Sequence, residues 1–170
     1  MPVMTRPFLA LVAKDLMKGD VVTIPRDMGM QAAARCLEQM HVSGAPVIDE
    51  QGRCVGVLSS GDFVSCCAAN RTRCAKHRAE AHCGPCTFPD CVGSEWQMVN
   101  VTESVEGLVR DRMTPGPVTA RPETPITQLA QMMVDAHVHR LIIVDGQNRP
   151  LGIVSTTDIV AAVARAGADE

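Results

Sequence analysis

Gly56-Val57-Leu58-Ser59-Ser60-Gly61-Asp62 and Gly152-Ile153-Val154-Ser155-Thr156-Thr157-Asp158 are two versions of one seven-residue phrase, 96 residues apart. Each opens with a short aliphatic run after a glycine, which reads as a buried strand. Each then carries Ser and, three residues later, Asp, the pattern that starts a helix. Extended outward at the same shift, 15–64 lies on 111–160 without a gap, and 14 of the 50 pairs are identical. Asp15/Asp111, Met17/Met113, Val22/Val118, Thr23/Thr119, His41/His137, Asp49/Asp145 and Gly56/Gly152 are among them. Many other pairs exchange one aliphatic residue for another. The chain contains a duplicated unit, and a repeat must be recognised before any other feature is assigned.

Both copies predict the same order of elements. A β-branched run comes first, 21–24 or 118–120. A helix-like stretch follows, with apolar positions Met30, Ala33, Ala34, Leu37 and Met40, or Ile126, Leu129, Met132, Met133 and Ala136. Strands are expected at 45–48 and 55–58, and at 141–144 and 151–154, each pair joined as a hairpin through a polar turn. Ser59 and Ser155 stand where a helix N-cap is wanted. The order β-α-β-β-α makes each copy a two-layer α/β unit. Some 50 residues carry too little core to stand comfortably alone, so the two copies are expected to pack sheet to sheet with pseudo-twofold symmetry.

Composition narrows the function. The 170 residues are 46% hydrophobic and 21% charged, as in globular proteins, but only 2% aromatic. A net charge of −3 offers no broad basic field, and few rings are available for base stacking, so a nucleic-acid partner is not expected. No apolar run approaches the roughly 20 residues that span a bilayer, and 8–13 is too short for a signal-peptide core. The expectation is a cytoplasmic protein without a membrane partner, whose eight cysteines serve as thiols or metal ligands rather than disulfides. No nucleophile–base pair, Gly-rich loop or paired-acid constellation appears, so no enzymatic activity is expected.

The two copies resemble the halves of a CBS-domain pair, or Bateman module. The resemblance is carried by Asp-Leu-Met at 15–17, Asp-Arg-Met-Thr at 111–114, Gly-Ala-Pro-Val-Ile-Asp at 44–49, His-Arg-Leu-Ile-Ile-Val-Asp at 139–145 and the two phrases above. On this reading 1–11 is an N-terminal extension, 12–64 the first repeat, 65–108 an insertion and 109–166 the second repeat. The resemblance implies a regulatory module that binds AMP, ADP, ATP or S-adenosylmethionine, works as a homodimer shaped as a flat disc of four repeats, and signals by a conformational change to a regulated protein not identified by the sequence. It also implies site residues. In the second repeat Ser155 serves phosphate and Asp158 ribose, with Val118, Thr119, Leu141 and Ile142 around the adenine. In the first, Ser59 and Asp62 take those roles, with Val22, Thr23, Ala45 and Pro46 around the base. The chemistry agrees: a serine hydroxyl can donate to phosphate, and an ionised aspartate accepts from ribose hydroxyls. Arg140, whose repeat partner is Gly44, has a fork suited to phosphate oxygens. Tighter binding of phosphorylated ligands is therefore expected at the second set.

Cys36 and Cys54 fall inside the first repeat and read as small buried hydrophobes. The other six cysteines lie in the insertion. Cys74-x-x-His77, Cys83-x-x-Cys86 and Cys91 form a candidate metal set with zinc-like spacing, an iron–sulfur cluster being the lesser alternative. Unligated thiols remain an alternative. So does a redox role, because Cys83-Gly84-Pro85-Cys86 resembles the thioredoxin tetrapeptide, although Pro89 interrupts the helix that should follow. The contrasting functional expectation is thus a metal-binding or redox-responsive protein with the repeats as dimerisation scaffold. His137-x-His139, the Arg71–Arg78 basic cluster and Trp96 read more simply as a helix exit, a solvated face and a packing residue.

Overall fold

In the computed structural model, residues 8–63 and 107–166 are described. The first half contains α1 (Ala13–Leu16), β1 (Ile24–Pro25), α2 (Met30–Gln39), β2 (Gly44–Ile48) and β3 (Cys54–Ser59), and a helix begins at 60–63. The second half contains a short 3-10 turn (Val109–Asp111), β4 (Thr114–Pro115), β5 (Thr119–Ala120), α3 (Ile126–Asp135), β6 (Arg140–Val144), β7 (Pro150–Ser155) and α4 (Thr156–Ala166).

The α/β repeat predicted from the sequence is present in both halves. α2 carries the chain from β1 to the parallel strand β2, and α3 does the same from β5 to β6. β2–β3 and β6–β7 are antiparallel hairpins, each with a register shift at the equivalent place, 47/48 and 143/144. The burial of Met30, Ala33 and Leu37, or Ile126, Leu129 and Met133, follows the helical period. Both helices end in a left-handed residue that is not glycine: His41 at φ 52° and His137 at φ 54°. The next amides, Val42 and Val138, donate back to Leu37 and Met133, closing each helix while their side chains join the core. The first strands are shorter than expected. The Val21 amide turns back to the Gly19 carbonyl, which leaves only Ile24–Pro25 to pair with β2.

The halves also exchange their leading segments, which the repeat pattern alone does not reveal. β4 adds to the edge of the first sheet, Gly56 opposite Pro115 and Val57 opposite Thr114, so that sheet runs β1-β2-β3-β4. At the equivalent place Lys18 bridges to Ile153 of β7. Val109 and Met113 therefore pack in the core of the first repeat, and Ala13, Leu16 and Met17 in that of the second. The conserved register of the repeat now has a physical meaning. A Cβ on Gly56 would lie 2.6 Å from Met113 Sδ, and one on Gly152 would lie 2.7 Å from Met17 Sδ. Each glycine makes room for the methionine of the opposite half.

Between the halves, Cys54 and Val57 meet Ile142 and Val144. Burial pushes the Cys54 thiol up, against a smaller lowering by its contact to the Gly56 carbonyl. The hairpin turn of the second half also reaches across. Asn148 occupies a left-handed position (φ 63°) where the first repeat has Gly52, and its Nδ2 donates to the Cys54 carbonyl at 2.7 Å. The Cys54 amide returns a hydrogen bond to the Asn148 carbonyl at 2.8 Å.

Candidate functional site

The strand-to-helix junctions are built alike. Asp62 Oδ2 accepts from the Ser59 amide at 2.6 Å and from Ser59 Oγ at 2.9 Å. Asp158 Oδ2 accepts from the Ser155 amide at 2.8 Å and from Ser155 Oγ, and the Asp158 amide donates back to Ser155 Oγ at 3.3 Å. The second junction is thus a reciprocal capping box. In both, one carboxylate oxygen is committed to the cap, and Oδ1 is the atom that faces the swapped segment. Asp62 Oδ1 meets the Thr114 hydroxyl at 3.4 Å, whereas Asp158 Oδ1 meets Lys18 Nζ at 3.7 Å. Partial burial pulls the Asp158 carboxyl upward, but the hydrogen bonds from Ser155 and the charge of Lys18 outweigh it and hold the group below its ordinary value.

A cleft of about 560 Å³ opens between the halves. Its size suits a small organic ligand. Pro46 and Val57 of the first half face Val118, Ile142 and Ile153 of the second, which makes the walls apolar. Ser59, Thr114, His139 and Arg140 supply the polar groups. The segment from Thr114 to Val118 forms one side; Gly116 there takes a left-handed φ of 67° between two prolines. Arg140 spans the halves, its Nη1 donating to Ser43 Oγ at 2.8 Å. With apolar walls and a few polar donors among its lining residues, the cleft can hold an apolar ring and present hydroxyl and cationic groups to a polar or anionic tail.

The structure distributes the expected site residues differently from the sequence reading. Ala45, Pro46 and Ser59 share this cleft with Val118, Arg140 and Ile142, and Asp62 borders it through Thr114. Arg140 thus stands in a cleft completed by Ser59, although its strand partner is Ser155. Leu141 is fully buried in the core of the second repeat. Side chains alternate along β6, so Leu141 and Ile143 face that core while Arg140, Ile142 and Val144 face the other half. Thr119 pairs with Ile142 and is half-buried, as are Val22 and Thr23, with Val22 packed against the first core. Ser155 and Asp158 lie with Lys18 rather than in the cleft's lining. Thr114, Pro117, His139, Ser43 and Lys18 were not singled out as site residues. All five are offered by the segments that cross between halves or by the helix exits, places where side-chain type alone carries no signal.

The proposed metal set Cys74, His77, Cys83, Cys86 and Cys91 lies outside the described residues. Among the described residues no cluster of three or more His, Cys, Asp or Glu could hold a metal ion, and no helix is long and apolar enough to cross a membrane. His137 serves as the left-handed end of α3.

The model of the family described as "CBS domain" matches residues 13–69 and 109–165. The chain is 27% identical over 154 residues to the uncharacterized protein MJ1426 of Methanocaldococcus jannaschii, covering 90% of this chain and 91% of that one. Among solved structures, it resembles the CBS domain pair of protein MJ0100 in complex with 5′-methylthioadenosine and S-adenosyl-L-methionine, with a TM-score of 0.66 and 20% identity. That match covers 95% of this chain and 99% of that one. It also resembles CBSX2 of Arabidopsis thaliana in complex with AMP, with a TM-score of 0.63 and 21% identity, covering 91% and 96% of the two chains.

Proposed function

This chain belongs to the CBS-domain family, and from that premise we propose that it is a non-enzymatic regulatory module that binds an adenosine-containing ligand in the cleft between its repeats. The observation that carries the reading is the cleft itself. Apolar residues from both halves line it together with Ser59, Thr114 and Arg140, and Asp62 joins Ser59 and Thr114 by hydrogen bonds. Adenine takes the apolar walls between Pro46 and Val118–Ile142. Asp62 Oδ1 accepts a ribose hydroxyl as the Thr114 hydroxyl turns aside. Arg140 leaves Ser43 for phosphate, exchanging a neutral partner for a charge-assisted one. The adenosine ligands present in the structures of MJ0100 and CBSX2 support this class of ligand.

Signalling follows from the position of the cleft. A ligand that touches both halves favours the inter-repeat geometry in which its contacts are best, and a partner protein can read that geometry. Val134 of α3 and Val160 and Val163 of α4, between 53% and 68% exposed on two helices that pack together, support a homodimer formed through this face. A thermal-shift screen with AMP, ADP, ATP and S-adenosylmethionine tests the ligand reading. At least one should raise the Tm in a concentration-dependent way; none doing so at millimolar ligand would sink it.

A further inference from the structure

The 96-residue register gives the molecule two equivalent ends, but the side chains placed there are not equivalent. Thr114 lies antiparallel to Val57, and Lys18 lies antiparallel to Ile153. Their backbones hold the same place, one beside Asp62 and the other beside Asp158. Thr114 offers a neutral hydroxyl that can donate, accept or rotate away. Lys18 offers only donors and pairs with the one oxygen of Asp158 that the cap leaves open, at 3.7 Å. Two residues further on, Gly116 lines the cleft, whereas the register puts Asp20, an exposed acid, at the other end. The cations are unequal too. His139 and Arg140 line the cleft, and their register partners are Ser43 and Gly44. Among the described residues no carboxylate pairs with Arg140, whose partner is the Ser43 hydroxyl.

We propose that this broken symmetry limits the chain to one phosphorylated adenosine ligand, bound at the Ser59–Asp62–Thr114 end, while Lys18 and Asp20 close the Ser155–Asp158 end. The inference rests on the adenosine reading above and adds its stoichiometry and its place. It reverses the preference expected from sequence, because the structure brings Arg140 into one cleft with Ser59. At the closed end a ribose hydroxyl must displace an ammonium from Asp158, and phosphate must approach an added carboxylate.

Isothermal titration of the full-length chain with AMP tests it. The expected stoichiometry is one per chain. Arg140→Gly, which copies Gly44 at an exposed position, should weaken binding at least tenfold, and Asp62→Asn should do the same. Asp158→Asn should change the affinity less than twofold. The double variant Lys18→Thr/Asp20→Gly, which copies Thr114 and Gly116 into the closed end, should raise the stoichiometry to two. Two equal sites in the wild-type chain would overturn the inference and leave the adenosine reading intact, as would loss of binding in Asp158→Asn alone. A wild-type chain that binds no AMP, ATP or S-adenosylmethionine would overturn both.

Discussion

Gly152→Ala is the substitution that probes the exchange of leading segments most sharply. The new methyl would stand 2.7 Å from Met17 Sδ, 2.8 Å from Met17 Cγ and 2.9 Å from Met17 Cβ, its three nearest atoms. Met17 cannot rotate away freely, because it packs on the core of the second repeat. Overpacking of this kind costs about 1–3 kcal/mol. With a urea slope of about 2 kcal/mol per M, the unfolding midpoint should fall by roughly 0.5–1.5 M. Met17→Ala alone removes a half-buried side chain and should cost about 1–2 kcal/mol, below the range for a fully buried methionine. The double variant removes Sδ and Cγ, the two nearest of these atoms, and keeps the residue-17 Cβ, so its loss should be smaller than the sum of the single losses by about 0.5–1 kcal/mol. Gly56→Ala with Met113→Ala is the matching pair. There shortening Met113 removes its Sδ and Cγ but leaves the Thr114 carbonyl 2.9 Å from the new methyl, as Met17→Ala leaves the residue-17 Cβ at 2.9 Å from the methyl at 152. The two pairs should therefore recover to a similar extent. Strict additivity at 152/17, or a neutral Gly152→Ala, would refute the claim that each half packs its methionine on the glycine of the other.

Three further outcomes follow from other contacts. His41→Gly and His137→Gly place glycine at left-handed positions and should each stabilise the chain by about 0.5–1 kcal/mol, read from urea midpoints; destabilisation would contradict the assigned helix ends. Asp158 is held below the ordinary aspartate value of 3.8, so its contribution is complete above that value and is lost as pH falls through the lower folded-state value. Asp158→Asn should accordingly flatten the acid limb of a stability–pH curve, and an unchanged limb would contradict the pairing with Ser155 and Lys18. Val160→Asp with Val163→Asp should shift sedimentation from dimer to monomer while leaving the far-ultraviolet dichroism unchanged; a wild-type monomer would remove the proposed dimer face.

Much of the fold was legible because each repeated element announces itself by period. Met30, Ala33 and Leu37 mark a helix, and the aliphatic runs before Ser59 and Ser155 mark strands. Identity between copies also flagged Met17/Met113 and Gly56/Gly152, yet it could not say which methionine meets which glycine. That pairing is a long-range choice between two halves of equal pattern, and it decides the site. The same ambiguity governed Arg140: its type spoke for phosphate, but only the crossing of 107–118 onto β3 brought it into one cleft with Ser59. Leu141 shows the complementary limit. A continuous aliphatic strand hides which alternate residues face the core, because both faces are buried. His139 and Thr114 carry no mark of a site until the fold places them at the rim.

A crystal structure of the chain grown with AMP tests the central claim most directly. The account predicts the adenine between Pro46 and Val118–Ile142, a ribose hydroxyl on Asp62 Oδ1 and the phosphate on Arg140, with the Lys18–Asp158 pair intact. AMP bound outside the cleft between the repeats, or on Asp158 with Lys18 displaced, would contradict it.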